Sequence, residues 1–101
     1  MGDPVHALRL REESAILHEM VRTYAGRALV NILLEQTGYR RSTFTGESLT
    51  SAYNEGRRDL GVWLDNWVFT TSPEALTIMR SEAQEREARY RAVVATQGED
   101  D

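Results

Sequence analysis

Three backbone punctuation marks limit what this chain can become. Pro4 follows Asp3, Gly38 follows "EQT", and Pro73 follows Ser72. A proline just inside a helix start and a glycine just past a helix end are the arrangement that helix termini favour. Between these marks the apolar residues recur at three and four, and no stretch alternates long enough to make a strand. The spacing therefore predicts an all-α fold, a small bundle of three to four helices. With 101 residues there is room for one domain, 1–101.

The helices are placed as follows. Residues 4–22 form a peripheral helix with Asp3 as its cap. Its stripe is Val5, Leu8, Glu12, Ala15, Ile16 and Met20, a weak one because Glu12 interrupts it. Residues 24–69 form a core helical hairpin. Its first arm carries Ala25, Ala28, Leu29, Ile32 and Leu33. Thr23 caps that arm, unless the first two helices run on without a break. Gly38 ends it, with Tyr39 folding back on Leu34. The second arm carries Tyr53, Gly56, Leu60, Trp63, Leu64 and Trp67. Residues 73–95 form a charged C-terminal helix. Ser72 is its N-cap, its stripe is Leu76, Met79, Ala83, Tyr90 and Val94, and its expected pairs are Glu82–Arg86, Glu85–Arg89 and Glu87–Arg91. Residues 96–101 form a frayed acidic tail. An ordered loop rich in Arg, Ser, Thr and Gly joins the hairpin arms.

Composition excludes several classes of function. There is no cysteine, hence no disulfide and no thiolate metal site. No run approaches the ~18 apolar residues of a membrane span. The opening "MGDPVHALRL" lacks the apolar core of a signal peptide. The net charge is −4, which weighs against a nucleic-acid role because such proteins need a basic face. "HEMVR" starts like a zinc-protease motif, but Arg22 replaces the second histidine, so His18, like His6, reads as a surface residue. No nucleophile motif, convergent carboxylate pair or phosphate loop is present. The chain is expected to be no enzyme and to need no cofactor and no metal.

The residues that look written for a purpose lie between Gly38 and Arg58. All twelve basic residues of the chain are arginine, the cation best suited to two-pronged bonds at interfaces. Arg40, Arg41, Arg57 and Arg58 form either a docking patch for a carboxylate or phosphate, or neutralise Glu35, Glu47, Glu55 and Asp59. Arg57 is the one expected to be buried. Phe44 either pins the loop to the core or anchors a partner. Trp63 and Trp67 are core residues or interface anchors. Gly26, Gly56 and Gly61 are expected to mark places where another backbone packs close.

The run "AGRALVNILLEQTGYRRSTFTGES", followed by "YNEGRRDLGVWL", resembles a family of small virion-associated proteins of short-tailed bacteriophages, encoded beside the structural genes. The likeness rests on Gly26–Arg27 opening a helix, on Leu33 to Phe44 around Gly38, and on Asn54 to Arg58. It spans about Thr23 to Leu64. It implies a structural component of the particle, made in the bacterial host cytoplasm and held in many copies at the portal, at the head–tail connector or inside the head. Partners would be the portal, connector or capsid proteins and further copies of this chain. Two other expectations stand beside it: a small regulatory protein that touches DNA through the arginines, and an assembly chaperone that leaves before the particle matures.

Overall fold

The computed structural model describes residues 3–39 and 48–99. Arg40, Arg41, Phe44 and the expected loop order lie outside the described residues. The described residues form four helices and no strand: α1 (Pro4–Met20), α2 (Tyr24–Thr37), α3 (Ser48–Thr71) and α4 (Pro73–Glu99).

Each junction has a local cause. Asp3 caps α1 by accepting the Val5 N–H at 3.0 Å. Thr23 caps α2 by accepting the Gly26 N–H at 3.0 Å, so the first two helices are separate. Gly38 ends α2 with φ 64°, a left-handed conformation that costs other residues strain. Only Ser72 stands between α3 and α4. Its N–H returns to the Val68 carbonyl at 2.7 Å and its own carbonyl accepts from Ala75 N–H at 3.0 Å. Ser72 sits where a cap was expected, but its buried hydroxyl is bonded to His18 Nδ1 at 2.7 Å. His18 thus ties α1 to the α3–α4 corner and is more than a surface residue. α4 stays helical to Glu99, past the expected fraying at Thr96. The Thr96 hydroxyl bonds the Ala92 carbonyl at 2.9 Å, and no helix breaker precedes Gly98.

α2, α3 and α4 pack on one another, and α1 lies against α3. The core is small: Leu17, Val21, Val30, Leu34, Val68, Ala75, Leu76 and Met79, with Tyr39, Leu64 and Trp67 against it. The inward stripes differ from those the spacing suggested. On α1 the packed positions are Ser14, Leu17 and the following Val21, while Val5, Leu8, Ile16 and Met20 face outward. On α2 they are Gly26, Val30 and Leu34, while Leu29, Ile32 and Leu33 are exposed. On α3, Tyr53, Leu60 and Trp63 are exposed, while Gly61 and Val68 are buried. On α4 the expected stripe holds through Met79 and Ala83, but Tyr90 and Val94 are bare.

The result is a thin slab. Its Cα extents are 66 × 40 × 16 Å and its radius of gyration is 17.6 Å, against ~13 Å for a compact chain of this length. Its accessible surface is 7822 Å², against ~5,800 Å² for a compact monomer of this mass. From Glu87 onward every described side chain of α4 is exposed, although Arg89 still reaches Tyr24 of α2.

The glycines separate by their surroundings. A Cβ on Gly26 would overlap the Met20 carbonyl oxygen, and one on Gly61 would overlap Thr37 Oγ1 and lie 2.6 Å from Tyr39 Cβ. Gly56 is exposed, with no described atom within 4 Å of its Cβ position, so the close approach expected there is not made by any described residue. Alanine normally stabilises a helix interior by up to ~1 kcal/mol relative to glycine. Gly56→Ala should do so. Gly26→Ala and Gly61→Ala should lower stability by ~1–3 kcal/mol through overpacking. Urea unfolding followed by circular dichroism checks the opposite signs.

Candidate docking site

The α1–α2–α4 junction is held by one arginine. Gly26 lets the first turn of α2 press against the end of α1, and this delivers Arg27 between α1 and α4. Its Nε donates to Glu82 Oε1 at 2.7 Å, its Nη2 to Glu82 Oε2 at 3.2 Å, and its Nη1 to the Val21 carbonyl at 3.1 Å. The side chains retain only 16% and 15% of their exposure. The bonds from Arg27 are the main reason that the Glu82 carboxyl is held below its ordinary range, against the opposing effect of burial. The same bonds hold Arg27 above its ordinary value. Glu82 was expected to pair with Arg86 along α4. Arg86 instead lies over the Tyr24 ring at 5.5 Å and donates to its hydroxyl at 3.3 Å, with Arg89 at 3.4 Å. The Tyr24 hydroxyl is held below its ordinary value, first by the Arg86 bond and then by the Arg89 bond. Of the three expected pairs along α4, Glu87–Arg91 closes, at 3.3 Å.

The elbow after α2 is held by α3. Tyr39 packs at Gly61 and against the core that contains Leu34. Its hydroxyl donates to Asp65 Oδ1 at 3.0 Å, with Arg80 at 3.9 Å from the same oxygen. Arg57 Nη2 donates to the Gln36 carbonyl in the last turn of α2, and its guanidinium lies 5.6 Å from the centre of the Tyr53 ring. A cation there suits the negative end of the helix. Arg57 is therefore engaged within the fold, yet exposed rather than buried. Arg58 is exposed and has no partner among the described residues.

The α1–α3 seam carries the tryptophans. Trp67 Nε1 donates to Ser14 Oγ at 3.2 Å, and the indole is half-buried against the core. Trp63 lies with its ring centre 5.2 Å from that of Trp67, tilted by 33°, and is 56% exposed. The two open a groove of about 260 Å³ with Leu10, Glu13, Asn66 and Thr70. A second cleft, of about 570 Å³, lies between the end of α2 and α4 and is lined mainly by polar residues such as Asn31, Glu35, Arg80 and Arg91.

The structure thus brings Trp63 and Trp67 together and commits Arg57 to α2. Glu82 and Ser14 are structural partners that sequence reasoning missed. The signal for the first was the Gly26–Arg27 pair itself, since a glycine that closes a junction aims the next side chain into it. No helix among the described residues is long and apolar enough to cross a membrane.

Four helices in a thin slab, with apolar stripes on the outside and no strand among the described residues, define a small all-α protein with more surface than core. Residues 17–94 match the model of the Bbp19-like phage proteins, and the chain belongs to that family. The match opens at Leu17, the first buried residue of α1, and takes in Arg27, Glu82 and the whole core. No curated protein and no solved structure matches the chain.

Replacing Arg27 removes the fork and leaves Glu82 and the Val21 carbonyl without a donor. Arg27→Met should cost about 2 kcal/mol, less than the cost of breaking a fully buried pair because some solvent reaches it. The pH dependence has a defined sign. The folded carboxyl of Glu82 titrates below its unfolded value, so its contribution is complete above the ordinary carboxylate range and is lost as pH falls through the lowered value. Urea midpoints taken from neutral to acid pH should therefore fall less steeply for Arg27→Met than for the parent chain.

Proposed function

We propose that this phage protein is a structural component of the tailed-phage particle. It acts by multi-copy docking at the portal, the head–tail connector, the capsid or inside the head. The observation that carries this reading is the set of large apolar side chains left exposed on well-formed helix faces: Val5, Leu8 and Ile16 on α1, and Leu29, Ile32 and Leu33 on α2. The chain as a whole has ~2,000 Å² more total surface than a compact monomer of its mass, and a standard interface takes ~800 Å² from each partner. Isolated monomers rarely leave so many large apolar side chains on well-formed helix faces.

The mechanism is association rather than catalysis. Neighbouring structural proteins and further copies of the chain cover these stripes and complete the burial that the chain cannot achieve alone. Such binding stabilises the folded form by mass action. The end of α4 after Arg91, ~12 Å at 1.5 Å per residue, is free to contact an adjacent subunit. Arg40 and Arg41 add the charged part of the docking patch.

Mass spectrometry of purified virions tests the proposal. The chain should be present at a fixed copy number relative to the portal, and its absence from mature particles would overturn the reading in favour of an assembly factor or a regulator. Leu29→Glu combined with Leu33→Glu should leave the melting of the isolated chain within ~0.5 kcal/mol of the parent, because both positions are exposed, yet abolish incorporation. Arg40→Glu with Arg41→Glu should do the same.

A further inference from the structure

The groove between α1 and α3 differs from the other exposed surfaces. Its walls are two matching helical faces. Leu10 and Glu13 come from α1, with Ser14 and Leu17 continuing that face into the core. Trp63, Asn66, Trp67 and Thr70 come from α3. One tryptophan is fixed. Trp67 is bonded to Ser14 and packed on the core, and it serves as the platform on which Trp63 rests. The Thr70 hydroxyl is turned back on the Asn66 and Trp67 main-chain carbonyls, and three polar groups are left unused. The Glu13 carboxylate, the Asn66 amide and the Trp63 indole N–H have no partner among the described residues.

The chemistry selects the occupant. The described lining holds one carboxylate, two indoles and no basic group. Aromatic faces attract cations, and a guanidinium stacks on indole while donating in plane to a carboxylate or amide oxygen. A phosphate or carboxylate ligand would meet the Glu13 charge with nothing to offset it. The volume of about 260 Å³ is below the range of drug-sized ligand pockets and takes one long side chain. The whole chain carries a charge of −4, so a basic partner is drawn in.

We infer that this groove is a receptor for an arginine side chain of a different protein, with the guanidinium stacked on Trp63 and its N–H groups donating to Glu13 and the Asn66 carbonyl oxygen. This deepens the docking reading by naming the chemistry of one partner. It does not require that the partner be in the virion, so the two can fail separately.

Trp63 and Trp67 are the only tryptophans of the chain, so intrinsic indole fluorescence reads the groove alone. The probes are the peptides acetyl-Gly-Arg-Gly-amide, its citrulline counterpart, which has the same shape without the charge, and its norleucine counterpart. All are titrated into the purified chain up to about 20 mM. The expected result is a saturable change with the arginine peptide, at least threefold weaker with citrulline and absent with norleucine. Glu13→Gln, an exposed helical position that should not disturb folding, should weaken arginine binding about two- to fivefold, as expected for an exposed ion pair. Circular dichroism confirms that the variant is folded. Equal responses to the arginine and citrulline peptides, a norleucine response as strong as either, or an unchanged Glu13→Gln titration would overturn the inference. So would a fluorescence change that follows protein concentration alone and vanishes in Glu13→Gln, which would assign the groove to a second copy.

Discussion

The fold hangs on a guanidinium. Arg27 spends three N–H bonds at the α1–α2–α4 junction, two on Glu82 and one on the carbonyl that ends α1. An ammonium could not span both carboxylate oxygens and the backbone in one plane. The core residues Val21, Val30 and Met79 lie close to this corner in the chain, and the Arg27 bonds add direction to their packing. The bonds fix the angle at which α2 leaves α1, and α2 in turn sets where α4 lies. Gly26 is the other half of the device. A side chain at this position would collide with the Met20 carbonyl and push the α1–α2 turn apart.

With that corner fixed, the remaining contacts form a slab no more than two helices thick. Two layers 8–10 Å apart account for the 16 Å dimension. A slab has two faces and little interior, so each helix can bury one stripe and must leave the other outside. This is why α1 and α2 each carry two apolar stripes and bury the narrower one. The seam positions are Gly26, Val30 and Leu34 on α2, the first of which allows close approach, whereas Leu29, Ile32 and Leu33 face outward. In a compact bundle the bulky stripe would be inside. Here the bulky stripe is outside, and the family to which the chain belongs is one of phage proteins.

Several elements were legible in the sequence because their causes are local. Asp3 before Pro4, Thr23 two residues before Ala25, and Gly38 after Thr37 each settle a helix end within four residues of chain, and the structure has the ends there. Trp63 and Trp67 could be placed on one face from their spacing, and Gly61 from its position inside a helix. The stripes on α1 and α2 were misread because periodicity reports that a helix is amphipathic and not which of two apolar faces finds a partner. Arg27–Glu82 and Trp67–Ser14 join residues more than fifty positions apart. No spacing rule reaches that far.

The sequence by itself determined the class of fold, the helices and the ends set by Asp3, Thr23 and Gly38, since caps, left-handed glycine and backbone propensity act over a few bonds. Tertiary structure alone decided which stripe is core and which is exposed, how far α4 runs, where the arginines are spent, and that Trp63 stands open above a fixed Trp67. Those outcomes depend on how four helices share too little interior, which is a property of their mutual geometry and of no segment taken alone.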